Sequence, residues 1–177
     1  MGGENKLVTM QHQMAIAYRL TEAMHQQNYQ LRDVAGPLKM AEIGVSRALT
    51  SRWLLELFPR LDMVLVDHTN YQEIRDVAEH FKPRVQFICG ASHTASVKVP
   101  DNSLDLVFID AQHTYENVKE DIHDWAPKLK DNGIMGGHDL YDAAFPGVRK
   151  AVEETGLEYE AGPGHTWWFK ECPKGHV

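Results

Sequence analysis

The stretch Leu104-Asp105-Leu106-Val107-Phe108-Ile109-Asp110-Ala111-Gln112-His113-Thr114-Tyr115 begins as an apolar run, stops on a carboxylate, and passes a histidine to reach a threonine. That threonine is placed to cap a helix starting at Tyr115. Residues 104–110 lack the in/out alternation of a half-buried strand, so both faces should be covered, as in a parallel sheet. Working outward, the same unit repeats. Residues 39–45, 63–67, 85–89 and 133–137 are further apolar runs of strand length, and residues 47–58, 71–81, 115–130 and 148–154 carry helical spacing. Strands alternating with helices imply right-handed crossovers and a doubly wound α/β sheet. Residues 157–160 and 166–170 flank Gly162-Pro163-Gly164 and read as two strands joined by a turn, so the mostly parallel, seven-stranded sheet should end in an antiparallel hairpin. Ahead of the first strand, residues 11–31 space Met14, Ala17, Tyr18, Leu20, Ala23 and Met24 as the apolar positions of an amphipathic helix, which Gly36-Pro37 then ends. One domain is expected over residues 1–177, with an N-terminal helical segment (1–37) and a core (38–177).

Composition narrows the function. With 43% hydrophobic and 24% charged residues, the 177-residue chain has a globular rather than a disordered profile. Its net charge of −7 argues against a nucleic-acid partner, which would need a concentrated Lys/Arg surface. A small-molecule or carbohydrate partner suits it better. No apolar run approaches the roughly 18 residues of a membrane span, and the start lacks the apolar stretch of a signal peptide, so a cytoplasmic protein with no membrane partner is expected. Cys89 and Cys172 form no CxxC pair and read as buried or spare thiols. Self-association through the N-terminal helix stays open.

In an open α/β sheet the ligand lies beyond the carboxyl ends of the strands, near the point where the strand order reverses. Each strand here ends in something polar: Glu42-Ile43-Gly44-Val45-Ser46, Asp67, Gly90-Ala91-Ser92, Asp110 with His113, and His138-Asp139. Gly44 permits a tight turn that brings backbone amides to a ligand, while Glu42 could take an amine or fix the loop. Asp67 at the tip of the second strand can accept both hydroxyls of a ribose. A dinucleotide would call for GxGxxG, but Ser46 and Ala48 follow Gly44, which disfavours NAD. Asp110, His113, His138 and Asp139 could converge on one mouth. Two carboxylates and an imidazole can hold one divalent ion, magnesium or manganese above all, leaving the second imidazole free to take a proton near neutral pH.

Ala41-Glu42-Ile43-Gly44-Val45, Val64-Leu65-Val66-Asp67, residues 105–115 and Gly133-Ile134-Met135-Gly136-Gly137-His138-Asp139-Leu140 together resemble the class I S-adenosylmethionine-dependent methyltransferases. The resemblance is narrower to the metal-dependent macrolide-sugar O-methyltransferases and cephalosporin-hydroxylase-like proteins, and spans residues 39–170. It implies a Rossmann-like methyltransferase fold and methyl transfer to an oxygen. S-adenosylmethionine would lie against Glu42, Gly44, Val45, Ser46, Asp67, Ala91, Ser92 and Asp110. Asp110, His138 and Asp139 would be the metal ligands and His113 the base. Two positions depart from the family pattern. Ala48 replaces a second glycine, where a methyl crowds the cofactor or disfavours a left-handed backbone angle, and His138 replaces an acid.

Plainer readings stand beside these. Asp110 could cap the helix at Tyr115, although Thr114 is the better cap. His113 could be a surface histidine, and His138-Asp139 a structural turn. His12, His25, His80, His93, His123, His165 and His176 share no ligand spacing and read as solvated. Trp53, Trp125, Trp167, Trp168 and Phe169 read as core, and residues 142–147 as a connecting loop rather than a lid. A metal-free enzyme, a non-catalytic cofactor-binding protein or partner subunit, and a metal-dependent hydrolase or hydroxylase are the competing functions.

Overall fold

A computed structural model describes residues 3–26 and 36–177. After α1 (Gly3–Gln26) come β1 (Leu38–Ile43), α2 (Leu49–Leu57), β2 (Leu61–Asp67), α3 (Gln72–His80), β3 (Val85–Cys89), α4 (Ser92–Ser96), β4 (Leu104–Ile109) and α5 (Tyr115–Trp125). A 3-10 turn (Ala126–Lys128) leads into β5 (Leu129–Gly137), followed by α6 (Pro146–Glu154), β6 (Tyr159–Gly162) and β7 (Thr166–Phe169). The seven strands form one sheet in the order β3-β2-β1-β4-β5-β7-β6. β1 pairs in parallel with both β2 and β4, so the order reverses between β1 and β4. β7 joins β5 antiparallel and carries β6 as an antiparallel edge. This is the mostly parallel doubly wound sheet with a terminal hairpin that the sequence predicts.

The strands lack polar alternation because each face meets helices. On β4 and β1, Leu106, Phe108 and Met40 pack with residues of α1, α2 and α3, while Val107, Ile109 and Ala41 pack with residues of α4, α5 and α6. All six residues of β4 are buried, Asp105 included, because its carboxylate accepts from the Lys39 amide at 2.8 Å and from Lys130 Nζ at 2.7 Å. Trp125, Trp167, Trp168 and Phe169 are core as expected, whereas Trp53 is half-buried. At Gly136 a Cβ would lie 2.2 Å from the Trp168 ring, so the close seating of β7 on β5 needs glycine there. No helix among the described residues is long and apolar enough to cross a membrane.

Several local expectations are corrected. β3 is an edge strand with Gln86 and Cys89 exposed, since only β2 flanks it. The helix expected over 115–130 ends at Trp125, and β5 starts at Leu129 rather than residue 133; the polar Lys130-Asp131-Asn132 at its entry hides it. α2 starts at Leu49 rather than residue 47 because Ser46 and Ala48 take positive φ. β6 sits two residues later than expected, and the five-residue α4 was not anticipated. α1 runs from Gly3, earlier than expected, and residues 27–31 of that expected helix lie outside the described residues. Leu20 and Ala23 face the core with Ile16, but Met14 and Tyr18 are 57% and 62% exposed and lie on the opposite side with Leu7 and Met10.

Candidate active site

The first loop is held from three directions. Gly44 has φ +89°, and a Cβ there would stand 2.0 Å from the Asp110 carbonyl oxygen, so the β1 and β4 loops touch backbone to backbone. Asp67 grips the same loop: its Oδ2 accepts the amides of Val45 (3.1 Å) and Ser46 (2.8 Å), and its Oδ1 the amide of Thr69 (2.7 Å). Asp67 thus shapes the loop with three accepted amides while itself bordering the cavity. Glu42 is buried and accepts from the Ser51 hydroxyl. Burial, opposed by that bond and reinforced by Asp110 and Asp67, pushes its carboxyl up to about 8. Burial thus favours the neutral acid, which ties α2 to β1 through the Ser51 hydroxyl. Ala48 adopts the left-handed angle (φ 55°) that its glycine-like position implies, but its methyl is buried among core residues and does not crowd the cavity.

That cavity holds about 550 Å³, within the range of small-molecule sites. Gly44, Val45, Ser46 and Asp67 line its middle; Ala91 and Ser92 line the β3 side and Asp110 and His113 the β4 side. Every cofactor residue named from the sequence borders it. The sheet order explains this, since β2, β1 and β4 are neighbours whose carboxyl ends open on one rim.

At the β4 end, His113 Nε2 lies 2.8 Å from Asp139 Oδ2 and 3.3 Å from Asp110 Oδ1. Ligand atoms of these three residues lie within 4.8 Å of one another, close enough to share an ion. His138 stands beside them, its Nδ1 3.0 Å from Asp139 Oδ1 and 3.8 Å from Asp110 Oδ1. The family resemblance groups His138 with the acids and sets His113 apart; here both imidazoles contact both acids, with His113 the closer to Asp110. Asp110 and then Asp139 raise the His113 imidazole to about 9. Burial works against Asp139's ionisation, but bonds from His113 and His138 outweigh it and hold the carboxyl well below the usual range. Asp139 itself has φ +61°, a left-handed angle that aspartate tolerates better than most residues. Thr114 caps α5, accepting from the Asn117 amide, so Asp110 is free of that duty. Phe145 stacks on His113 at 4.3 Å, which brings the 142–147 loop over the cluster.

His12, which reads as solvated from its spacing alone, also borders the site. It is buried, contacts Thr50 Oγ1 through Nε2 at 2.9 Å, and meets His138 edge to face at 4.9 Å. Burial and then His138 lower it to about 4, so it is neutral at ordinary pH. The signal was present: positions 12, 16, 20 and 23 share one helical face, and the last three are apolar.

Comparison with known proteins gives this site a family. Residues 41–140 match the model of a methyltransferase domain. The uncharacterized protein y4gI of Sinorhizobium fredii (strain NBRC 101917 / NGR234) is 30% identical over 88 residues, 44% of this chain, and the chain spans only 9% of that protein's length. Among solved structures, a Staphylococcus aureus protein assigned as a caffeoyl-CoA O-methyltransferase superposes with TM-score 0.63 at 15% identity over 84% of this chain and 79% of the other. CalS11, a TDP-rhamnose 3'-O-methyltransferase of calicheamicin biosynthesis, gives 0.59 at 18% over 87% and 78%. The precorrin-6y C5,15-methyltransferase of Geobacter metallireducens gives 0.59 at 20% over 82% and 72%. At such identities the superpositions establish the fold alone. The matched segment runs from β1 through the residue after Asp139, taking in the first loop, Asp67 and the acid–imidazole cluster, and it covers more than half of the sequence: the chain belongs to the methyltransferase-domain family.

Proposed function

We propose that this protein transfers the methyl group of S-adenosylmethionine to a hydroxyl oxygen of a small molecule or sugar, with a divalent ion, magnesium or manganese, held at Asp110 and Asp139. The observation that carries the reading is that Asp110 and His113, which line one end of the cavity built around the Gly44 loop and Asp67, are joined by the Asp139 carboxylate and the His138 imidazole beside them. Those donors fit the ion: carboxylate oxygens suit a hard cation, and the His138 imidazole, 3.0 Å from Asp139 and 3.8 Å from Asp110, completes a mixed set that leaves His113 for proton transfer. When bound, such an ion would acidify adjacent acceptor hydroxyls.

The remaining work belongs to the chain. The Gly44 loop, Asp67, Ala91 and Ser92 hold the nucleoside in the cavity, and Asp110 borders both cofactor and acceptor. Orientation of two bound reactants supplies much of the rate, because it replaces a bimolecular encounter. The acceptor oxygen attacks the methyl carbon as the carbon–sulfur bond breaks, S-adenosylhomocysteine departs, and the hydroxyl proton passes to the His113 imidazole. His113 can accept it only when Asp110 and Asp139 no longer hold it as an imidazolium, which ties the base to the charge carried at those two acids.

Calorimetric titration with S-adenosylmethionine and S-adenosylhomocysteine, with and without magnesium, tests the cofactor half; micromolar binding is expected, and no binding would refute it. On an acceptor found from a panel of hydroxylated compounds, turnover should fall with a chelator and return with magnesium. Turnover indifferent to chelation would leave a metal-free enzyme. Binding with no transfer to any acceptor would leave a cofactor-binding protein.

A further inference from the structure

We infer that Asp121, on α5, reads the base of the nucleoside cofactor by accepting a hydrogen bond from the exocyclic amine of adenine. This rests on the cofactor reading above and extends it to a residue outside the strand-end loops.

The sheet order fixes which part of the ligand lies where. The acid–imidazole cluster belongs to β4 and β5, on one side of the switch point, and the β3 turn carrying Ala91 and Ser92 lies on the other, beyond β2. A ligand with its reacting sulfur near Asp110 and its ribose near Asp67 therefore points its base toward Ser92. There the cavity wall is completed by α5, through Asn117, Glu120 and Asp121.

Among these, Asp121 has capacity to spare. Asn117 and Gln112 are engaged with one another, Asn117 Nδ2 donating to Gln112 Oε1 at 2.7 Å and to Thr114 Oγ1 at 2.6 Å. Glu120 is exposed at the rim. Asp121 is only 4% exposed yet borders the cavity, and among the described residues the Ser92 hydroxyl is the neighbour that favours its charged form. The indole Nε1 of Trp125 donates to Ser92 Oγ at 2.8 Å, which leaves the serine's own proton to donate elsewhere and anchors α5 to the β3 turn. A buried carboxylate with one donor for about four acceptor sites is under-satisfied. Burial accordingly raises its pKa to about 6, and an amine donor entering the cavity would relieve it.

An acceptor carboxylate meets the amine of adenine but opposes the carbonyl oxygen that replaces it in hypoxanthine. The test is calorimetric titration of the full chain at pH 7.5 with S-adenosylhomocysteine and its deaminated analogue, S-inosylhomocysteine. The wild type should prefer the adenosyl compound by about 10- to 100-fold, the value of one hydrogen bond to a charged group. Asp121→Asn presents an amide that can turn its donor to the carbonyl oxygen, so it should weaken adenosyl binding, strengthen inosyl binding and bring the ratio to one or below. A gain for the inosyl compound cannot arise from misfolding. A wild-type ratio within threefold, or an unchanged ratio in Asp121→Asn, overturns the assignment while leaving the methyltransferase reading intact. Absence of binding to either compound overturns both.

Discussion

Glu42→Gln should stabilise the protein, by an amount that grows as the pH rises. In the folded state the Glu42 carboxyl is raised to about 8 from an ordinary 4.5, chiefly by burial. Because the folded state holds this proton more tightly, its contribution is fully present below pH 4.5 and is lost as the pH climbs toward 8, where unfolding is rewarded by ionisation in water. At about 1.36 kcal/mol per tenfold change in proton affinity, the loss is under about 1 kcal/mol at pH 5, about 3 kcal/mol at pH 7 and about 5 kcal/mol above pH 9. Glutamine keeps the size and an acceptor for the Ser51 hydroxyl but never ionises. Urea denaturation of both proteins at pH 5, 7 and 9 should therefore give nearly parallel midpoints at the lowest pH and a widening advantage for the variant above it. An advantage that stays flat across that range would mean that Glu42 is ionised in the folded protein, and the account of it as a neutral fastener between β1 and α2 would be wrong.

His12 titrates in the opposite sense: lowered to about 4, it contributes stability above pH 6.5 that is lost as the pH falls toward 4, so His12→Gln should flatten the acid limb of the stability curve by about 3 kcal/mol at pH 4. An acid limb identical to wild type in urea melts would refute the burial of a neutral imidazole there. Gly44→Ala should cost more than about 2 kcal/mol and abolish nucleoside binding, because its Cβ falls 2.0 Å from the Asp110 carbonyl at a left-handed φ; denaturation and calorimetry read both. Ala48→Gly should change stability by less than about 1 kcal/mol, relief of the left-handed angle offsetting loss of a buried methyl. It should also leave S-adenosylhomocysteine affinity unchanged, since that methyl does not face the cavity. His113→Ala and Asp139→Ala should each cut turnover on an identified acceptor at least about 100-fold, and full turnover in both would dispose of the proposed mechanism.

The strands were legible because burial on both faces forces unbroken apolar runs, and that constraint acts locally. Edge position does not. Residues 85–89 read like the central strands, yet β3 has one neighbour and exposes Gln86 and Cys89, a fact set by the sheet order rather than by the run itself. α1 shows the same limit differently: its long apolar side chains Met14 and Tyr18 suggested the wrong stripe, while the stripe that packs is built from Ile16, Leu20, Ala23 and a histidine. His113 and His138 could both be named from their places after β4 and β5, but their distances to the two acids depend on a left-handed turn at Asp139 that no spacing rule announces.

Acceptor capacity separates the site's residues more sharply than their positions do. Asp67 occupies the place from which a carboxylate would take both ribose hydroxyls, yet three amides already engage it, so its first task is to shape the Gly44 loop. Glu42 gives its charge up to burial and its oxygen to Ser51. Asp110 and Asp139 are engaged by two imidazoles. Asp121, in the middle of a helix where no strand-end rule looks, is a buried carboxylate bordering the cavity with the Ser92 hydroxyl as its polar partner. Binding specificity in a preformed cavity comes from groups a ligand must satisfy rather than from groups the protein has satisfied already. On that ground the contact proposed at Asp121 adds recognition of the base on the α5 wall to the cofactor contacts proposed at the tips of β1, β2 and β3.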